Sequence, residues 1–232
     1  MKSRYPSAPV VVFVFLVAVM MVPRVSAGES KTDDSFDQKH QVGVRLGVWA
    51  NGGETPPKTF EIPEFSYRVD TDISSANVYL EGYAAYRLYS MGLLEFSVGF
   101  ANRGDVNVQD GGREYFGNLI LYPIMLQLKN YLPMPGASKF RPYVTVGGGI
   151  YYGRNSVQFT NDAYYAYTEE SETDFNYVLG GGIDYQVAGS IALEMNAKYM
   201  PINFSKNLIL VQDYQAFTIT FGVKYLFAGS GE

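Results

Sequence analysis

Residues 217–227 have the sequence FTITFGVKYLF, and this stretch is the clearest sign of the architecture. Its apolar residues recur at every second position and share one face: Phe217, Ile219, Phe221, Val223, Tyr225 and Phe227. The other face carries Thr218, Thr220, Gly222 and Lys224. A period of two is that of a β-strand, whose successive side chains point to opposite sides. The stretch therefore predicts a strand with one face toward hydrocarbon and one toward water.

The same alternation appears in eight segments of the chain. They cover approximately residues 41–51, 74–88, 93–102, 115–131, 140–153, 174–187, 191–202 and 214–227. About ten residues at about 3.3 Å each, tilted by about 45°, cross the roughly 25 Å apolar band of an outer membrane. The sequence therefore predicts an all-β protein, an eight-stranded antiparallel up-and-down transmembrane β-barrel.

The connections between these segments alternate in length. The shorter ones are residues 89–92, 132–139 and 188–190, and the longer ones are residues 52–73, 103–114, 154–173 and 203–213. Outer-membrane barrels have short periplasmic turns and longer outside loops. Together with an even number of strands, this pattern predicts that both termini lie in the periplasm.

The N-terminal residues have the features of an export signal. Lys2 and Arg4 precede an apolar run over residues 10–22, and small residues follow at 25–27. The alternative is a membrane-spanning helix, which needs about 20 apolar residues, and Pro23 ends the run before that length. We therefore expect a cleaved signal peptide.

These features divide the chain into four parts. We expect a signal peptide over 1–27, a flexible periplasmic segment over 28–40, the barrel over 41–227 and a short tail over 228–232. Removing the first part takes away three cations and no acids, which lowers the formal net charge from −5 to −8. That charge argues against nucleic acid as a partner, because phosphate binding needs clustered Lys and Arg. The chain has no Cys, so it is neither a disulfide-stapled scaffold nor a lipoprotein anchored through Cys.

A soluble lipocalin-like barrel is the main alternative fold, with its apolar face inward and its polar face in water. The charged residues on the polar faces are too sparse for that exterior and balance one another in sign: Arg45, Glu81, Arg87, Glu95, Lys129, Asp184, Glu194, Lys198 and Lys224. They fit an enclosed lumen better, which favours the membrane barrel.

Two hairpin-like segments carry a resemblance to a known family. Residues 121–131 followed by 140–152, and residues 177–185 followed by 191–199, are similar to hairpins of small outer-membrane barrels of the OmpW type and the broader OmpA and opacity-protein group. The resemblance implies residence in the outer membrane of a Gram-negative-type bacterium, with outer-membrane lipids as partners. It also implies that Tyr225 and Phe227 form the aromatic signal for the barrel-assembly machinery, although the five residues 228–232 follow that signal.

Few residues suggest chemistry of their own. His40 precedes the first segment, and no Ser or carboxylate is placed by sequence to orient it, so we expect no catalytic site and no cofactor. The acidic stretch 154–173 offers oxygen ligands but matches no calcium loop of fixed ligand order, so we assign no metal site. Its tyrosines Tyr164, Tyr165 and Tyr167 are candidate contacts for an extracellular surface partner.

Aromatic residues near the predicted periplasmic strand ends form an expected interfacial girdle: Tyr89, Tyr131, Tyr185, Tyr225 and Phe227.

The lumen is predicted to hold an ion network of Arg45, Glu81, Arg87, Glu95, Asp184, Glu194, Lys198 and Lys224. If Leu88 faces Leu94 across a three-residue turn, the register sets Arg87 opposite Glu95. The same reasoning sets Asp184 opposite Glu194, with Lys198 or Lys224 as the cation between them. The alternative is that each ion is solvated separately by lumen water.

An eight-stranded barrel is only wide enough for side chains to fill, which excludes a general porin. We therefore expect a structural or surface-interaction role through the outside loops. The alternative is an OmpW-like narrow channel for small hydrophobic molecules. An enzyme is the least favoured class.

Overall fold

The computed structural model describes residues 39–53, 59–62, 67–73, 76–110, 113–134, 139–161, 164–208 and 211–228. The predicted signal peptide over 1–27, most of the segment over 28–40 and residues 229–232 of the tail lie outside the described residues. No helix among the described residues is long and apolar enough to cross a membrane.

The described residues form twelve β-strands. They are β1 (Lys39–Asn51), β2 (Thr59–Ile62), β3 (Tyr67–Ile73), β4 (Ala76–Tyr89), β5 (Gly92–Asp110), β6 (Arg113–Tyr131), β7 (Phe140–Asn161), β8 (Tyr164–Ala188), β9 (Ile191–Met200), β10 (Asn203–Leu208), β11 (Val211–Asp213) and β12 (Ala216–Ala228).

Eight of these strands close into an antiparallel barrel in the order β1, β4, β5, β6, β7, β8, β9 and β12. Closure comes from β1 against β12, which pair without interruption from Lys39 and Ala228 to Asn51 and Ala216. The predicted all-β, eight-stranded antiparallel barrel is therefore confirmed. The remaining strands are additions to it, since β2 and β3 pair beside β5, and β10 and β11 form a separate hairpin.

The two ends of the barrel differ. At the turn end, where Lys39 and Ala228 lie, strands are joined through residues 90–91, 132–139 and 189–190. At the opposite end, the hairpin end, β5 and β6 pair as far as Asp110 and Arg113, and β7 and β8 as far as Asn161 and Tyr164.

The prediction of loops over 103–114 and 154–173 is therefore wrong, because both segments are strands of long hairpins. The prediction that residues 28–40 are flexible is also wrong at its end, since Lys39 and His40 belong to β1. Alternation did not mark the hairpins because their sequences have no continuous alternating apolar face.

The outer face of the barrel is apolar. On β12, Phe221 exposes 62% of its surface, whereas the inward Thr218 and Lys224 are buried. Similar large exposed side chains cover the other barrel strands, among them Leu46, Leu80, Phe100, Leu126, Val146, Phe175 and Leu193. Phe227 departs from the predicted alternation: it is buried, with its ring centroid 5.5 Å from that of His40 on β1.

Glycines on the inner face make the lumen narrow. A Cβ at Gly182 would lie 2.2 Å from the backbone oxygen of Met195 and 2.5 Å from the Tyr143 hydroxyl. Any side chain there would displace the neighbouring strand or the tyrosine that fills the interior.

Pro123 lies within β6, where it cannot donate a ladder hydrogen bond. The pairing of β5 with β6 is interrupted between the pairs Val98–Ile124 and Ala101–Leu121, which is the level of Pro123, and continues in the same register. The ladder is therefore locally broken at Pro123, and its bulge occurs elsewhere, between Asn102 and Gly104.

Candidate functional site

Arg45 on β1 is the centre of a buried cluster in the lumen. Its Nη1 and Nη2 donate to the two carboxylate oxygens of Glu95 at 2.7 and 2.8 Å. Its Nε donates to Glu194 at 2.8 Å, and Nη1 also pairs with Glu81. One guanidinium thus holds three carboxylates, which leaves two negative charges to be balanced by other cations.

Three lysines supply further positive charge. Lys198 Nζ lies 2.7 Å from Glu81 and 3.6 Å from Glu95. Lys129 Nζ lies 3.2 Å from Asp184 and 3.7 Å from Glu194.

Lys224 pairs with Asp184 and lies 3.5 Å from Glu194. We call the whole set the ion network: Arg45, Lys129, Lys198, Lys224, Glu81, Glu95, Asp184 and Glu194. Within the described part of the chain it contains four cations and four carboxylates, so it is neutral, and all of its side chains are buried.

The strand registers bring these residues together. Arg45 lies opposite Glu81 in the β1–β4 ladder, a pairing for which the sequence analysis made no prediction. Asp184 lies opposite Glu194 in the β8–β9 ladder, which is the predicted pairing. Gly222 lies between Arg45 and Glu194, and a Cβ there would be 2.9 Å from Arg45 Cγ and 3.0 Å from the Glu194 carboxylate. The missing side chain at Gly222 leaves room for the Arg45–Glu194 contact.

Tyrosines and an amide surround the ions. The Tyr131 hydroxyl donates to Asp184 at 2.5 Å and accepts from Gln41 Nε2 at 2.7 Å. Lys129 Nζ lies 3.7 Å from the centroid of the Tyr143 ring, and Arg45 Cζ lies 3.7 Å from that of Tyr83. These rings stabilise the cations through cation–π attraction, which is larger where water is excluded.

Arg87 does not join the ion network, and its predicted pairing with Glu95 is wrong. Arg87 lies opposite Leu93, and Glu95 lies opposite Ala85 and binds Arg45. The turn is shorter than predicted, with Tyr89 opposite Gly92 and an irregularity at residue 88, which shifts the register. Arg87 consequently lies at the turn end, where it donates to the carbonyl of Ser90 at 2.9 Å.

Sequence reasoning missed several members of this site. The sequence analysis places Lys129 on a polar face but does not assign it to the ion network. The alternation along β6, which turns Gln127 inward, turns Lys129 inward as well and was the signal for this assignment. Tyr131 was predicted to lie in the interfacial girdle, whereas its side chain is buried in the lumen. The same alternation, continued from Gln127 and Lys129, places Tyr131 on the inner face, so the sequence also carried the signal for this residue.

A second, apolar layer fills the lumen toward the hairpin end. Its members are Trp49, Tyr79, Ala101, Leu119, Leu121, Met125, Tyr151, Val178, Met200, Ile202, Phe204, Leu208, Tyr214 and Ala216, which we call the apolar cluster. Tyr79 joins the two layers, since its hydroxyl donates to Glu81 at 2.7 Å.

The β10–β11 hairpin covers the apolar cluster at the hairpin end. The Phe204 and Tyr214 rings meet with centroids 5.3 Å apart. A Cβ at Gly153 on β7 would lie 2.7 Å from Leu208 and 2.9 Å from Phe204, which shows how closely the hairpin packs against the wall.

The remaining candidate residues lie away from the lumen centre. His40 packs against Tyr86 at the turn end with ring centroids 4.4 Å apart, and its Nδ1 accepts the backbone N–H of Arg87 at 2.9 Å. Tyr164, Tyr165 and Tyr167 lie on β8 in the long hairpin, opposite Asn161, Thr160 and Gln158. Tyr225 faces outward at the turn end. No group of three or more His, Cys, Asp or Glu that could hold a metal ion occurs among the described residues.

No known family profile matches the sequence, and no curated protein matches it either. Among solved structures, the chain is similar to the outer membrane protein OprG from Pseudomonas aeruginosa, with a TM-score of 0.50 and 17% identity over 83% of this chain and 98% of that one. It is also similar to a major outer membrane protein from Thermus thermophilus, with a TM-score of 0.50 and 11% identity over 82% of this chain and 99% of that one. These similarities confirm the predicted likeness in fold to small outer-membrane β-barrels.

Proposed function

Because the chain has the fold of small outer-membrane barrels, we propose that it is an integral outer-membrane protein with a closed lumen and a structural or surface-interaction role. The observation that carries the proposal is the neutral, buried ion network. To pass through the lumen, a hydrated ion or a sugar would have to break these buried ion pairs. The interior of an eight-stranded barrel is too narrow to leave an open path beside them.

Membrane residence is supported by the outer face of the barrel. Exposed Leu, Ile, Val and Phe side chains on every barrel strand would be unfavourable in water, and they form a far larger apolar surface than soluble monomers carry. A closed sheet satisfies its backbone hydrogen bonds within hydrocarbon. We place the turn end, with both termini, in the periplasm, and the hairpin end outside the cell.

The hairpin end would provide the surface contacts. The β7–β8 hairpin carries Tyr164, Tyr165 and Tyr167 near its tip, and tyrosine offers a rigid contact area with a polar end. The partner would be an extracellular surface, whereas outer-membrane lipids surround the barrel. The assembly machinery would recognise β12 through Tyr225 and Phe227.

Two measurements test this function. The full chain, expressed in a Gram-negative host, should yield a mature protein that starts near Gly28 and fractionates with the outer membrane. The refolded barrel in a planar bilayer should show no stable ion conductance. Recovery as a soluble periplasmic protein would contradict the location, and a large steady conductance would contradict the closed lumen.

A narrow channel for small hydrophobic molecules is the second candidate, and the apolar cluster favours it. Such a molecule could enter among Leu119, Leu121 and Met125 and leave sideways into the membrane above the ion network. Faster uptake of a labelled alkane by cells that contain the protein, without ion conductance by the purified barrel, would select this candidate over the structural role.

A further inference from the structure

Arg103 on β5 is a buried cation outside the ion network. Its residue is 1% exposed, and its Nε and Nη1 have no hydrogen-bond partner. Among the described residues, no carboxylate lies within ion-pair distance of its guanidinium. Its nearest aromatic contact is Tyr214, with the Arg103 Cζ 5.1 Å from the ring centroid.

Arg103 lies on the inner face of β5, where the buried Ala101, the exposed Asn102 and the buried Arg103 follow the ordinary alternation of a strand, and a β-bulge occurs at this position. In the β5–β6 ladder Asn102 pairs with Ile120 and Gly104 pairs with Leu119, so Arg103 is the extra residue. Bulges are frequent at the rims of barrels and next to functional sites. The inner face of β5 thus carries, beside a bulge, a buried charge that no described carboxylate neutralises.

The neighbours of Arg103 in the barrel wall and the aromatic ring near its guanidinium are apolar. Ala101, Leu119 and Tyr214 all belong to the apolar cluster. One polar residue, Asn155, lies at the same level of the barrel as Leu119, with which it pairs across the β6–β7 ladder. Asn155 is buried, and its Oδ1 has no hydrogen-bond partner.

Two acidic residues at this end of the barrel whose side chains the structure describes have other partners. Glu172 binds Lys206 at 3.0 Å, and Asp174 accepts the backbone N–H of Asn203 at 3.0 Å. Neither carboxylate is in contact with Arg103.

The unbalanced charge of Arg103 indicates that the site takes an anion. The ion network matches each buried cation with buried carboxylates, because an unpaired buried charge is strongly unfavourable. Arg103 breaks that rule. Its planar fork of N–H groups fits the two oxygens of a carboxylate or a phosphate, which it binds with paired hydrogen bonds.

We infer that Arg103 is the binding site for a small organic carboxylate at the hairpin end of the lumen, beneath the β10–β11 hairpin. The carboxylate oxygens accept from Nε and Nη1 of Arg103, and a short apolar body packs against Leu119 and Tyr214. Apolar walls favour such a ligand over inorganic phosphate, which is strongly hydrated and would lose that hydration here.

Sodium butyrate is the probe that tests this site, with butyramide as the uncharged molecule of the same shape. Isothermal titration of the refolded full-length barrel should show saturable binding of butyrate and none of butyramide. The Arg103→Gln variant should bind butyrate at least tenfold more weakly. The Arg154→Gln variant removes the same charge at the same end of the barrel, from a half-buried pair with Glu169, and should bind butyrate as the wild type does.

Thermal unfolding separates binding from a structural role of Arg103. Butyrate should raise the Tm of the wild type and leave that of Arg103→Met unchanged, since only the folded wild type binds the anion. If the substituted proteins fail to refold, the difference between butyrate and butyramide on the wild type decides the matter. Equal responses to the two molecules, unchanged butyrate binding in Arg103→Gln, or phosphate binding as tightly as butyrate would each overturn the assignment.

Discussion

Replacing Lys198 by Met removes one cation from the neutral ion network and should destabilise the barrel strongly. Lys198 Nζ lies 2.7 Å from Glu81 and 3.6 Å from Glu95, and both carboxylates are buried. Removing one partner of a buried pair leaves an uncompensated charge and costs roughly 3–5 kcal/mol. Glu81→Gln should have a cost of the same order. The double variant restores neutrality, so it should be more stable than the summed single costs predict, by on the order of 2 kcal/mol.

The assay is a double-mutant cycle on the refolded barrel, with the free energy of unfolding measured in urea and folded protein scored by its gel mobility before boiling. Arg154 and Glu169 in the long hairpin are the matched control, since their 2.7 Å contact is partly open to water at 34% and 21% exposure. Such a pair should couple by less than about 1 kcal/mol. A coupling for Lys198 and Glu81 no larger than that of the control would refute the buried network as a source of stability.

Three further outcomes are expected. Lys224→Ala should raise the conductance of the planar-bilayer preparation, because its Nζ lies between Asp184 and Glu194; an unchanged conductance would argue against closure by these ions. Phe227→Ser should lower the yield of assembled barrel in the outer membrane far more than deletion of residues 229–232, and equal yields would show that β12 is not the assembly signal. Deleting residues 157–168 should abolish surface binding while the barrel still folds, as scored by heat-modifiable gel mobility, whereas loss of folding would show that the hairpin is structural.

The barrel was predictable from sequence because an apolar outer face and a charged inner face impose alternation on the strands of the barrel wall. On β12, Phe221 and Lys224 reveal their opposite faces by composition alone. The long hairpins were not predictable in this way. Residues 154–173 are rich in acids and tyrosines without an alternating apolar face, so they gave the same signal as a loop although they are paired throughout β7 and β8.

The pairing within the lumen depended on turn geometry. In one hairpin the turn at 189–190 is one residue shorter than predicted, but the irregularity between Gln186 and Ala188 restores the predicted pairing of Asp184 with Glu194. In the other, the turn at 90–91 is also one residue shorter than predicted, and the irregularity at residue 88 moves the register further in the same direction, so Arg87 misses Glu95. Sequence thus identified most of the charges that face inward, and the turn and bulge geometry decided which of them meet.

The ion network also gives a physical reason for the register of the barrel as a whole. In the described chain its members come from β1, β4, β5, β6, β8, β9 and β12, and β7 contributes Tyr143, whose ring lies 3.7 Å from Lys129 Nζ. A slip of one residue in any ladder turns every side chain of that strand to the other face. In the membrane location that we propose, a network charge would then face lipid, at a cost of roughly 2–4 kcal/mol for Arg or Lys at the bilayer centre, and its partner would remain unpaired in the lumen. The apolar cluster penalises such a slip less, because its Leu and Met side chains are equally acceptable to lipid. The buried charges therefore select the correct closure among alternatives that apolar packing alone would leave close in energy.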